Sequence, residues 1–242
     1  MSNKRKTVKR IIVAIVILVI IPLTVALGIW LFNDRKYNLI SMIMAFLSCV
    51  PFFIRFEKVR SAVRELVVIA VMTAFSIVGR LIFAPVPGFK PVTAMTVISG
   101  IALGPEAGFL VGSLTAVVSN FFFGQGPWTP FQMFTWGLLG FVAGILFFKK
   151  QNPNKIILCI LGALGGVVFS LLMDIWTTLS LDGTFLWTRY VANVASSLPF
   201  MAIYAVSNIV FLLVLTKPFL SKLNRLKTKY GIFGEPSYIS KD

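Results

Sequence analysis

The stretch "PGFKPVTAMTVISGIALGPEAGFLVGSLTAVVSNFFFGQGPWTPFQMFTWGLLGFVAG", Pro87 to Gly144, strings together three apolar runs, Val92–Leu103, Ala107–Phe123 and Phe131–Phe148, the last ending just past the quoted residues. The breaks between them are short and carry Gly and Pro. About 20 apolar residues, wound as a helix, cross a hydrocarbon core of about 30 Å. Two of the runs approach that length and the first falls short of it. The fold is therefore decided here: helices that turn back and forth through a bilayer.

The rest of the chain repeats the pattern. Of 242 residues, 57% are hydrophobic and 13% charged, with a mean hydropathy of +0.90, outside the range of soluble domains. Further runs lie at Ile11–Phe32, Leu39–Ile54, Leu66–Phe83, Ile156–Thr177 and Val191–Thr216, so eight spans are expected in an all-α integral membrane protein. The first run is long for a signal-peptide core, and no small-residue cleavage site follows it, so it reads as a retained helix.

Eighteen of the 23 Lys and Arg residues fall in Met1–Arg10, Arg55–Arg64, Lys149–Lys155 and the residues after Thr216. These alternate with segments holding only Arg35, Lys36, Lys90 and Arg189. By the positive-inside rule both termini are expected in the cytoplasm of a multi-pass protein of the cell membrane. The same asymmetry accounts for the net charge of +15 without nucleic acid. The basic break "RFEKVRSAVRE" divides an N-terminal hairpin (1–60) from a six-helix core (61–216), and a basic tail (217–242) follows. In that tail Leu220, Leu223 and Leu226 lie at helical spacing, as in a surface-lying amphipathic helix or ordinary positive-inside anchoring.

Histidine is absent, and Cys49 and Cys159 stand far apart within spans. No metal or cofactor site and no disulfide framework is indicated, and the usual general base is missing. No G-x-x-x-x-G-K-[ST] motif occurs, so any dependence on ATP comes from partners.

Three turns on the outer side are long: "APVPGFKP" (84–91), "FFFGQGPWTP" (121–130) and "TLSLDGTFLWTRY" (178–190). In the second, Thr129, Pro130 and Gln132 read as a capping box that starts the next helix. Phe89, Trp128, Trp176, Trp187 and Tyr190 come from these turns or their flanks, and Trp136 lies below Trp128. With Asn120, Gln125, Gln132, Asn193 and the charged Lys90 they suit an apolar pocket with a few orienting polar groups. An aromatic belt at the membrane surface is the other reading of Trp128. Arg80 and Asp174 lie inside spans near their outer ends, where they meet each other, contact a ligand or snorkel to the interface.

Small residues four apart occur at Ala70/Ala74, Gly108/Gly112, Gly140/Gly144 and Gly162/Gly166, a spacing that usually serves packing inside a bundle. An A-x-x-x-A in the first core helix, five further helices and three elaborated outer loops together resemble the S components of energy-coupling factor (ECF) transporters, over about Glu65 to Thr216. The quoted stretch resembles the cobalamin-type members. The resemblance implies a non-enzymatic subunit that binds a vitamin, cobalamin or a related cofactor, on the outer face, with riboflavin, pyridoxine-type vitamins and queuosine precursors left open as substrates. It implies docking through Ala70 and Ala74 on a transmembrane coupling subunit driven by two ATPases. The N-terminal hairpin departs from the six-helix pattern. The competing function is an ion- or proton-coupled secondary transporter, which calls for inverted repeats and a midplane carboxylate.

Overall fold

The computed structural model describes residues 8, 11–31, 43, 46–48, 50, 62–148 and 153–233, and all regular structure among them is helical. Near the N-terminus the helix that begins at residue 11 is wound as a π-helix over Val16–Ile20 and continues as α1, Ile21–Leu31. Pro22, which has no N–H to give, sits where the winding changes. The expected span Leu39–Ile54 falls outside the described residues except at 43, 46–48 and 50, and so does the tail from 234 onward.

Six core helices follow: α2 Ala62–Ile82, α3 Val92–Leu103, α4 Pro105–Phe123, α5 Thr129–Phe147, α6 Lys155–Asp182 and α7 Trp187–Tyr230. Five of them, all but α3, are long and apolar enough to cross a membrane, and the protein is a multi-pass membrane protein. The helix over Ile11–Leu27 and α3 are apolar but shorter. Every residue of α3 is buried, which explains how twelve residues can lie at membrane depth without spanning it: α2, α4, α5 and α7 wrap it. Connections 83–91, 124–128 and 183–186 gather at one end of the bundle, here the loop end. Gly104, the α5–α6 connection and the far end of α7 lie at the other, the basic end.

Glycine sets how closely the helices approach. A Cβ on Gly140 would stand 2.5 Å from the carbonyl oxygen of Gly108, and one on Gly100 only 2.0 Å from that of Gly140, so α3, α4 and α5 meet backbone to backbone. Likewise a Cβ on Gly166 would fall 2.5 Å from the amide nitrogen of Ala205, seating α6 on α7. The turn between α3 and α4 is a single residue, Gly104, at φ +103, with Pro105 opening α4.

Three expectations need correction. The turn read as 178–190 is four residues long, because α6 runs on to Asp182 and α7 begins at Trp187; Leu179, 1% exposed, is packed as core. The last helix does not stop near Thr216: it carries Pro218 and continues to Tyr230. Leu220 and Leu223 are buried in the same cluster as Ile69, Ile232 and Phe233, and the Phe233 amide donates to Glu65 Oε1 (2.9 Å). Burial against α2 thus holds these leucines inside the protein fold and not on a lipid surface. Finally, Thr129 and Gln132 make no capping box. Helix α5 has Trp128 at its N-cap position with no side-chain cap, because both side chains are engaged elsewhere.

Candidate functional site

At the loop end the expected pocket residues divide into separate groups. The innermost surrounds Trp136, which α5 buries to 1% exposure. Phe169 of α6 stacks on it (5.3 Å, 16° between planes), and Tyr204 of α7 meets Phe169 edge-on (5.2 Å). Three helices therefore present three rings to one space.

Lys90 reaches toward these rings from the 83–91 connection. Its Nζ lies 5.7 Å from the Trp136 centroid, 5.7 Å from Phe169 and 5.4 Å from Tyr204, distances at which a cation is drawn to ring faces. Its backbone is tied to α7: the Lys90 amide donates to Ser207 Oγ (2.9 Å), and the Ser207 hydroxyl donates to the Lys90 carbonyl (3.2 Å). Burial first, and the Arg80 charge second, push the lysine pKa down to about 8.

Arg80 reaches the same indole from α2. Its Cζ stands 5.1 Å from the Trp136 centroid and 4.3 Å from that of Phe123. Its Nη1 donates to Ser119 Oγ and to Asn120 Oδ1 (2.9 Å). Asn120 in turn donates to Thr129 Oγ1 (2.9 Å) and Gln132 Oε1 (2.8 Å), and the Thr129 hydroxyl donates to Gln125 Oε1 (3.0 Å). Arg80, Asn120, Gln125 and Gln132, four of the expected residues, are joined in one chain of hydrogen bonds that links α2, α4, the 124–128 turn and α5.

Arg80 and Asp174 do not meet. Helix α2 packs on α3 and α4, while α6 packs on α7, so the two side chains answer to different neighbours. The Asp174 carboxylate accepts from the Ser197 hydroxyl (2.6 Å), and beside it Asn193 donates to Thr178 Oγ1 (3.0 Å). Asp174 and Asn193 thus belong to a polar seam between α6 and α7.

The remaining aromatics point elsewhere. Trp128 lies 6.5 Å from Trp176, and Trp176 lies 5.7 Å from Phe131. Trp176 packs against the buried cluster that Phe131, Phe134 and Leu179 share with Val13, Ile17 and Ile21 of the N-terminal helix. Trp187 is 73% exposed and touches Phe185 and Tyr190, as an interfacial anchor does. Phe89 joins Phe83 and Phe211 in the main core.

Phe169, Tyr204, Ser119 and Ser207 were not expected in the site. A signal for the last existed: Ser207 and Asn208 are adjacent polar residues deep within an apolar run, and both are buried. Phe169 gave none, since one phenylalanine in a span of many looks like core. Ala70 and Ala74 lie on an exposed face of α2 between Val67, Val71 and Phe75. No group of His, Cys, Asp and Glu fit to hold a metal occurs among the described residues.

The family described as "ECF-type riboflavin transporter, S component" matches this chain over residues 60–225. No curated protein and no solved structure matches it. The matched region begins at the basic break, takes in all six core helices up to the last turns of α7, and names riboflavin where the sequence resemblance had pointed to cobalamin, which finds no support. With more than half of its length matched, the chain belongs to the family of ECF-type riboflavin transporter S components.

Proposed function

We propose that this chain captures riboflavin at its loop end and delivers it across the membrane only when docked on a coupling subunit powered by two ATPases. The observation that carries the reading is the three-ring box of Trp136, Phe169 and Tyr204 within a chain of the riboflavin-type family. A planar heteroaromatic ring is held by stacking on such faces, and the polar chain from Arg80 to Gln132 beside them supplies donors and acceptors to orient it. The basic-residue asymmetry supports placing the loop end outside and the basic end in the cytoplasm. A subunit of this family binds and does not catalyse, and the chain is not an enzyme.

Docking is assigned to the α2 face. Ala70 and Ala74 are exposed, and a groove lined by Val63, Val67, Val71, Leu223 and Leu226 borders them at the basic end. Small side chains there let a partner helix come close. The test is uptake of labelled riboflavin by cells that lack other flavin uptake. Accumulation is expected when this chain is expressed together with an ECF module and not when it is expressed alone. Accumulation driven by an ion gradient, with the purified chain alone in liposomes, would refute the reading.

A further inference from the structure

Helices α2 and α7 separate toward the basic end. Phe75 meets Phe219 edge-on (5.5 Å between centroids) and the Phe233 amide reaches Glu65, but between these two ties the helices leave a groove of about 360 Å³. Met72, Leu223 and Ile232, all buried, form its floor, while Val63, Val67, Val71 and Leu226 are exposed along its rim. Only two of the lining residues are polar, Arg64 and Tyr230, and both stand at the end where α2 begins and α7 stops.

The dimensions suit one kind of occupant. From Val63 to Met72 α2 rises about 14 Å, close to the depth of one leaflet in a hydrocarbon core of about 30 Å. Spread over that depth, the volume gives a cross-section of roughly 25 Å², enough for a single hydrocarbon chain and too narrow for a helix about 10 Å across. Positive charge gathers at the mouth. The Arg64 guanidinium carbon lies 6.0 Å from the Tyr230 ring centroid, and the Lys229 ammonium lies 5.3 Å from the same centroid. Both of these side chains are exposed. Residues 62–72 and 220–233 carry Arg64, Lys222, Arg225, Lys227 and Lys229 against one acid, Glu65, which accepts from the Phe233 amide. Lys227 is buried and turned to the Phe148 ring; the other four cations are exposed beside the bilayer, where such clusters draw anionic headgroups.

We propose that this groove binds one anionic phospholipid of the cytoplasmic leaflet, an acyl chain lying between α2 and α7 and the phosphate between Arg64 and Lys229. The inference takes the basic end as cytoplasmic, as in the reading above, and is otherwise independent of the flavin. Tyr230 then sits at headgroup level, where an aromatic ring with a polar tip is at home. Arg64 and Lys229 give the phosphate charge-assisted hydrogen bonds, which a zwitterionic lipid meets with a competing cation of its own. The groove borders Ala70 and Ala74, so the bound lipid covers apolar wall beside the face assigned to docking.

The experiment is native mass spectrometry of the full chain purified in detergent and titrated with phosphatidylglycerol or with phosphatidylcholine, neither flavin nor coupling subunit being present. One phosphatidylglycerol per chain is expected, held at least tenfold more tightly than phosphatidylcholine. Arg64→Gln with Lys229→Gln should erase most of that preference, whereas Lys155→Gln, which removes an exposed cation of α6 outside the groove, should leave it intact. Val67→Phe with Leu226→Phe should fill the groove and weaken both lipids by tenfold or more, with the size-exclusion profile unchanged. Equal retention of the two lipids, or a preference that Lys155→Gln lowers as much as the paired glutamines do, overturns the site. Retention of neither lipid overturns it as well, and if the paired phenylalanines then abolish capture of the coupling subunit, the groove belongs to a partner helix. None of these outcomes bears on the flavin reading, which the ligand carried by the chain decides.

Discussion

Small residues four apart serve opposite ends in two regions of this bundle. At Gly108, Gly140 and Gly144 the helices touch through their backbones, with no room for even a methyl group. At Ala70 and Ala74 the same spacing lies on an exposed face of α2, flanked by the exposed side chains of Val67, Val71 and Phe75. The first region is already filled by its own chain and the second is not. Spacing alone therefore marks a face where helices can come close, and only packing tells whether the partner is within the same chain.

Substitutions can break this contrast, and the largest effect belongs to the filled region. Gly140→Leu should place side-chain atoms inside the Gly108 carbonyl and cost at least about 3 kcal/mol, enough to deplete folded protein in size-exclusion profiles from detergent. A normal elution profile and unchanged melting would mean that the helices are not in backbone contact. A smaller loss is expected at Gly124, where φ is +95 but nothing lies within 4 Å of an added Cβ. Gly124→Ala should cost about 1–2 kcal/mol through backbone strain alone. A melting temperature equal to that of the parent would show that the turn relaxes.

The smallest effect on stability is expected where the face is open. Ala70→Trp combined with Ala74→Trp should shift stability by no more than about 0.5 kcal/mol, as surface changes do, and leave riboflavin affinity unchanged. Capture of the coupling subunit should nevertheless be lost. If the doubly substituted chain still pulls down that subunit, docking lies elsewhere. One tryptophan extends the contrast to the loop end: Trp187→Ala, at an exposed position, should leave affinity unchanged, whereas a tenfold loss there would bring the 183–186 turn into the site.

The membrane-spanning plan could be read from the sequence because hydropathy reports directly on transfer from water, and α2 through α5 begin and end within a few residues of the expected runs. The ends of α6 and α7 could not, because they are fixed by tertiary burial: Leu179, Leu220 and Leu223 prolong helices past the apolar stretch. Side-chain partners were the least legible. Arg80 and Asp174 had the right charges to pair, yet each found a nearer neutral neighbour on an adjoining helix, Ser119 and Asn120 for one and Ser197 for the other. The candidate site was legible in part. Lys90 and Trp136 stood out by type, while Phe169 and Tyr204, which complete the ring box, were hidden among the aromatic residues of their spans.

The central claim, that this chain is a flavin-binding subunit, is tested most directly by the ligand it carries. The full chain should be purified in detergent from cells supplied with riboflavin, and the bound small molecule identified by absorbance and mass. The account predicts a flavin at one equivalent per chain, retained through washing with a Kd of roughly 1 μM or tighter. A corrinoid in its place, or a colourless chain that shows no saturable binding of added riboflavin, would contradict it.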